Sequence, residues 1–185
     1  MYEFKVINVI AVADLRQRVD LGKIGQNLNV AYNPGKYGGR VAYLKTKIMH
    51  GKVSVFNSGK IISVGTKSVY QAKEDLHTAA RFIENILHSG VSSEDIEIVN
   101  IVASIDLGRN VDLETATLGL PHTIYEPDQF PGLILRFSEP IHGSILLFSS
   151  GKAIINGVKS EEQAHLVADR LKSLIKSFMI ENGRS

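Results

Sequence analysis

The chain has 185 residues, carries 21 Lys and Arg against 19 Asp and Glu for a net charge of +2, and contains no cysteine. That length makes one moderate domain or two small ones with a real core, and the missing thiols exclude disulfides and thiolate metal sites and fit a reducing compartment. A charge this small cannot hold nucleic acid by itself, so any such binding must rest on more than a basic face. There is no run of about eighteen apolar residues and no charged-then-apolar leader, so a soluble, intracellular protein is expected.

In chain order, an apolar strand is predicted from Phe4 to Ala13. A short helix follows, with Asp20 as N-cap and Leu21, Ile24 and Leu28 as its apolar face. Antiparallel hairpins are expected next, punctuated by Asn33-Pro34-Gly35, His50-Gly51 and Ser58-Gly59. A long helix then opens at the capping box Ser68-Val69-Tyr70-Gln71, in which serine and glutamine satisfy each other's amides, and buries Ala72, Leu76, Ala79, Ile83 and Leu87. The polar segment His88 to Ser93 is a connector, too short for a free linker. Beyond it the series recurs: a strand from Glu97 to Ile105, a helix capped by Asp112 with Leu113, Ala116 and Leu120, and turns at Glu126-Pro127, His142-Gly143 and Ser150-Gly151. The last helix starts at Ser160-Glu161-Glu162-Gln163 and buries Ala164, Ala168, Leu171, Ile175 and Phe178.

The recurrence is visible residue by residue. An offset of 92 places Asn8 on Asn100, Asp14-Leu15 on Asp106-Leu107, Val19-Asp20-Leu21 on Val111-Asp112-Leu113, Ser58-Gly59-Lys60 on Ser150-Gly151-Lys152, and Gly65 on Gly157. Solenoid repeats run roughly 20 to 50 residues, so this is a duplicated half-domain, with repeats expected over residues 1–90 and 94–181. Two related surfaces suit a partner with approximate twofold symmetry, above all a nucleic-acid duplex.

Strand residues of equal parity share a face. The odd set, Ile7, Val9, Ala11, Val53, Val55, Ile61, Ile101, Ala103, Ile145, Leu147, Ala153 and Ile155, reads as the helix-covered core. The even set, Ile10, Val12, Phe56, Ile62, Val64, Val102, Leu146, Phe148 and Ile154, is almost as apolar, and two long helices can cover only one face. Either a sandwich or a dimer buries the second face, or it is a binding surface. Two details favour binding. Asn8 and Asn100 sit on that face at equivalent positions, where a groove would let their amides reach base edges. Lys60, Lys67, Lys152 and Lys159 flank it in matched pairs, supplying charge for phosphates.

Nothing points to an enzyme. The histidines at 50, 77, 88, 122, 142 and 165 form no metal or general-base pattern, and no cofactor is expected. Gly35-Lys36-Tyr37-Gly38-Gly39-Arg40 lacks P-loop spacing and reads as a flexible loop.

With these residues in view the chain resembles the TATA-box-binding protein family, from about Val6 to Phe178. The second half carries the likeness most specifically, in Glu97 to Ser104, Tyr125-Glu126-Pro127, Phe130 to Ile134 and Leu147 to Lys152. The chain opens almost at once on its first strand and so resembles the compact archaeal form. The resemblance implies an α+β fold: duplicated half-domains forming a curved antiparallel ten-stranded saddle with four helices on the convex face. It implies a general transcription factor that binds and bends the promoter's TATA element from the minor groove and recruits transcription factor B and RNA polymerase. It places wedges at Tyr37, Phe56, Phe130 and Phe148, central amides at Asn8 and Asn100, and floor contacts at Ile10, Ile62, Val64, Val102, Leu146, Ile154 and Asn156. Phosphate contacts fall on Lys60, Lys67, Arg136, Lys152 and Lys159, and the docking site for transcription factor B on Glu126 and Asp128. It also implies a cytoplasmic protein on the chromosome, nuclear in a eukaryote, able to pair with itself when free of DNA.

The departures from the family pattern gather in the first half. Tyr37 stands where it has phenylalanine, Tyr43 an arginine, Ser54 a leucine, and Val64 and Asn156 threonines. Weaker binding by the first half is therefore expected. A divergent paralogue acting mainly as a regulatory protein-interaction module is the alternative reading, and a nucleic-acid-binding accessory of an enzyme a third.

Overall fold

The computed structural model describes residues 3–88, 95–138 and 142–182. Ten strands are present: β1 Glu3–Asp14, β2 Val30–Tyr32, β3 Val41–Leu44, β4 Lys52–Phe56, β5 Lys60–Thr66, β6 Glu97–Asp106, β7 Thr123–Ile124, β8 Leu133–Phe137, β9 Gly143–Leu147 and β10 Lys152–Val158. The helices among the described residues are α1 Leu21–Ile24, α2 Val69–Leu87, α3 Leu113–Gly119 and α4 Glu161–Asn182, with a 3-10 turn at Tyr37–Gly39. The strands form one antiparallel sheet in the order β2-β3-β4-β5-β1-β6-β10-β9-β8-β7. The expected α+β, ten-stranded architecture is thus present. Of the predicted connector only His88 is described; it ends α2 in the left-handed conformation at φ 54°.

Two compact units divide the chain. One is Asn8–Val99; the other joins Met1–Ile7 to Asn100–Ser185. In the first, α2 packs on β4 and β5. Its small residues Ala72 and Ala79 let the helix approach Val53, Val55 and Ile61, all fully buried. In the second, α4 packs on β10, and Ala164, Ala168 and Leu171 are buried with Ile145, Leu147, Ala153 and Ile155. The odd residues of the predicted set are therefore the core on β4, β5, β6, β9 and β10, whereas on β2 and β3 the buried residues are even, Val30, Ala42 and Leu44; within the predicted set there is one exception. Ile7 is 37% exposed, while its even neighbour Phe4 stacks on His165 of α4 with ring centroids 3.9 Å apart. The covered parity changes inside β1 because residues 3–7 group with the second unit and answer to a different helix.

A second correction concerns Leu28, expected on the apolar face of the first helix but fully exposed. Helix α1 stops after one turn, with Gly25 as C-cap, so position 28 falls outside the helical period. Its counterpart α3 runs seven residues and does bury Leu113, Ala116 and, just beyond it, Leu120. Both short helices carry the predicted aspartate caps: Asp20 accepts from the Lys23 N–H, and Asp112 from those of Glu114 and Thr115. The Thr115 hydroxyl also donates to Asp112, and this bond, with the backbone amides, holds the Asp112 carboxyl below the usual range.

The capping boxes differ from expectation in one bond. Ser68 and Ser160 accept from the N–H groups of Gln71 and Gln163 as predicted. The glutamine oxygens, however, accept from the N–H of Lys67 and Lys159, one residue before each cap.

The 92-residue offset has a structural cause. In the first unit Leu15 N–H donates to Gly59 O at 3.0 Å and Val19 N–H to Asn57 O at 3.1 Å; in the second, Leu107 donates to Gly151 O and Val111 to Ser149 O. Gly59 and Gly151 have φ of 101° and 81°, and a Cβ on either would lie 2.1 Å from Gln17 O or 1.8 Å from Arg109 O. Only glycine fits, so the Ser-Gly-Lys turn repeats.

One lock rests on Asp75, whose place in the second unit is taken by Val167. Asp75 of α2, 1% exposed, accepts from the backbone N–H of His50 at 2.9 Å and of Gly51 at 2.6 Å. The ammonium of Lys45 donates to the carbonyls of Met49, His50 and Gly51 at 2.6, 2.9 and 2.6 Å, so both polarities of the β3–β4 turn are satisfied. At the corresponding place in the second unit Val167 rests against Gly143. Replacing Asp75 by Ala leaves two amides without an acceptor and should destabilise the fold by roughly 2–4 kcal/mol. Urea unfolding checks this, and a loss under about 1 kcal/mol would mean that water replaces the carboxylate.

Candidate nucleic-acid interface

The even face is open. Ile10, Val12, Phe56, Ile62 and Val64 in the first unit, and Val102, Leu146, Phe148 and Ile154 in the second, are half-buried, and among the described residues no second layer covers them. Strand pairing orders each face into a cross-strand row. In the second unit it reads Ser104, Ile154, Leu146, Ile134, Ile124. In the first unit it reads Val12, Ile62, Ser54, Tyr43, Ala31.

Asn8 and Asn100 are held by the sheet itself. Each last strand carries one extra residue against its neighbour: the register shifts between Val9 and Ala11 on β1 and between Ile155 and Val158 on β10. Gly65 and Gly157 sit in these bulges with φ of 88° and 83°. Their N–H groups donate to Asn8 Oδ1 at 2.8 Å and Asn100 Oδ1 at 3.0 Å. The bulge then reverses parity, so that Thr66 and Val158 are buried. The sequence suggested these asparagines by position but missed this structural duty, whose signal was the paired recurrence of Asn8 with Gly65 and Asn100 with Gly157. With Oδ1 engaged, the amide's remaining group is the donor Nδ2. On Asn100 one Nδ2 hydrogen goes to Asn156 Oδ1 at 2.9 Å, which leaves the exposed Asn156 amide to present its own donor. Val64 corresponds to Asn156 in the first unit and cannot accept, so no such relay forms beside Asn8.

The aromatic pairs differ as well. Phe130 and Phe148 meet edge to face, with centroids 6.0 Å apart. A Cβ at Gly132 would lie 2.6 Å from the Phe130 ring and 3.1 Å from that of Phe148, so glycine makes room for the pair. The loop is fixed behind it: Glu126 O accepts from the N–H of Gln129 and of Phe130, each at 2.9 Å, with Glu126 and Asp128 exposed. A pocket of about 590 Å³ opens beside Phe148, lined also by Glu3, Ser104, Pro131, Lys152 and Ile154. In the first unit the place of Gly132 opposite Phe56 is taken by Val41. Tyr37 lies in the 3-10 turn at φ 50°, 70% exposed, and no ring contact joins it to Phe56.

Register also revises where the missing arginine falls. Ser54 pairs with Tyr43 as its equivalent Leu146 pairs with Ile134, so the counterpart of Arg136 is Lys45. Both are exposed, and Lys45 is tied to three carbonyls of its own turn. Lys60, Lys67, Lys152 and Lys159 are exposed around the open faces, and Lys60 and Lys152 lie opposite Asp14 and Asp106 in the ladders.

A duplicated α+β protein with an open apolar sheet face in each unit, bordered by cations and free amide donors, has the makings of a groove-binding nucleic-acid protein. The comparisons agree. The family model described as transcription factor TFIID, or TATA-binding protein, matches residues 3–87 and 95–178. A TATA-box-binding protein of Cenarchaeum symbiosum is 39% identical over 86% of each chain, and one of Archaeoglobus fulgidus is 34% identical over 96% of this chain and 97% of its own. The solved structure of Methanococcus jannaschii TBP, 31% identical, superposes with a TM-score of 0.78 over 95% of this chain and 99% of that one. The chain belongs to the TATA-box-binding protein family, archaeal in type, whose members are TATA-box-binding transcription factors. Among the described residues no helix is long and apolar enough to cross a membrane.

Gly132→Ala should force Phe130 and Phe148 apart with little effect on melting, because both rings border solvent. Duplex affinity is expected to fall by roughly tenfold, about 1.4 kcal/mol. Fluorescence anisotropy on an A·T-rich duplex checks this, and unchanged affinity would separate the ring pair from binding.

Proposed function

We propose that this chain is a promoter-binding general transcription factor that enters the minor groove of A·T-rich duplex DNA, bends it, and recruits transcription factor B and RNA polymerase. The observation that carries the reading is the open apolar face repeated in both units, with donors at its asparagines and cations at its borders. Each repeat, over residues 1–90 and 94–181, contributes one such face. The minor groove of A·T pairs shows only acceptors, adenine N3 and thymine O2, which suit the donor amides of Asn8, Asn100 and Asn156. Guanine adds an N2 amino donor there, which the apolar side chains of Ile10, Ile62, Val64, Val102, Leu146 and Ile154 cannot accept.

Phe56, Phe130, Phe148 and the more exposed Tyr37 serve as wedges. Wedging apolar side chains between base steps from the minor groove kinks the duplex and is the established behaviour of this family. Lys60, Lys67, Arg136, Lys152 and Lys159 hold phosphates and fix register without reading sequence. The protein works in the cytoplasm on the chromosome and can pair with itself through the apolar faces when DNA is absent. Inosine·cytosine pairs lack the N2 amino group but alter the major groove, so they should replace A·T pairs with little loss of affinity. If inosine weakened binding in a gel shift as much as guanosine does, the protein would be a major-groove reader.

Glu126 and Asp128 stand exposed beside the Phe130 loop. Carboxylates near phosphates repel, so they suit a cationic protein partner, which the family likeness supplies as transcription factor B. Reversing both to lysine should leave binary DNA binding intact or slightly tighter and weaken the ternary complex several-fold. A gel-shift titration with transcription factor B measures this, and unchanged ternary assembly would reduce both residues to solvated turn positions.

The alternative, a paralogue acting mainly through protein contacts, draws on the first unit. There the Lys45 ammonium is bonded to carbonyls of its own turn, and no ring contact joins Tyr37 to Phe56 among the described residues. Weak A·T-rich binding alongside strong ternary assembly would favour it.

A further inference from the structure

The first unit's row differs from the second at its centre. Where the second has Leu146 beside Ile134, the first has Ser54 beside Tyr43. Both first-unit residues are half-buried on the open face, and neither hydroxyl has a hydrogen-bond partner among the described residues. The two replacements compensate in volume, a smaller side chain paired with a larger one, so the face stays filled while its chemistry changes. The Lys52 ammonium lies 4.7 Å over the Tyr43 ring and holds it against the sheet.

A hydroxyl both donates and accepts. Facing adenine N3 or thymine O2 it donates; facing the guanine N2 amino group it accepts. A leucine at that position does neither and leaves the guanine amino group buried without a partner, at a cost typical of a mismatched pair. We propose that Ser54, supported by Tyr43, makes one position of the DNA site, under the first repeat, permissive for a G·C pair, while the equivalent position under the second repeat stays restricted to A·T. This rests on the minor-groove reading above and assigns its two repeats different sequence tolerance.

The test scans single substitutions of G·C, and separately of inosine·cytosine, through an A·T-rich duplex, measuring affinity by anisotropy for wild type, Ser54→Leu, Ser54→Ala and Leu146→Ser. Wild type should show one step at which G·C is tolerated within about threefold, against losses of tenfold or more at the other central steps. In Ser54→Leu and Ser54→Ala the G·C penalty at that step should rise about tenfold, with no comparable rise for inosine·cytosine. Leu146→Ser should create a second tolerant step. Melting curves separate misfolding from lost recognition, and the alanine variant, smaller than serine, keeps the test valid if leucine distorts the face. A uniform guanosine penalty in wild type, or an unchanged penalty in both Ser54 variants, overturns the inference and leaves minor-groove binding standing. Equal binding of all-A·T, inosine and guanosine duplexes overturns the minor-groove reading itself.

Discussion

Each unit makes more apolar sheet face than its single long helix can cover, and the rest of the molecule follows from that imbalance. The buried face takes Val53, Val55 and Ile61 under α2 in one unit and Ile145, Leu147 and Ile155 under α4 in the other. The residues between them point the other way by the pleat, and they are apolar too. A soluble protein tolerates such a face when a partner covers it. A minor groove lined by sugar and base edges suits it, provided that a few amides and cations supply the polar contacts.

Repetition in the sequence is the record of backbone problems solved twice. The bulges at Gly65 and Gly157 leave an N–H outside the ladder, and Asn8 and Asn100 satisfy it. The turns at Gly59 and Gly151 come so close to a neighbouring carbonyl that no side chain fits. These constraints are geometric, so they are met by the same residues in both units. Binding their oxygen to the bulge also aims their amino group.

The units diverge where packing leaves choice. In the second, Gly132 admits an edge-to-face ring pair and Arg136 is exposed; in the first, Val41 takes the glycine's place and Lys45 is spent on its own turn with Asp75. The Asp75 lock stiffens the very hairpin that carries Tyr43 and Ser54. Two copies of one plan thus differ in how their hairpins are held and in what their open faces present.

Parity and the 92-residue offset were enough to determine the duplication, the two-faced sheet, the aspartate and serine caps and most of the open face, because these depend on local periodicity that a strand or helix cannot hide; the fold class came with the family likeness. The likeness of segments such as Phe130 to Ile134 added the family. Tertiary structure alone decided the rest. It showed that α1 stops short of Leu28, that parity changes within β1, and that Lys45 and not Tyr43 corresponds to Arg136. The last two are set by register or by contacts between residues far apart in the chain, and the first by where the helix meets its cap at Gly25. The Asn8–Gly65 and Asn100–Gly157 bonds each span 57 residues, a distance over which sequence spacing carries no geometry until the strands are paired.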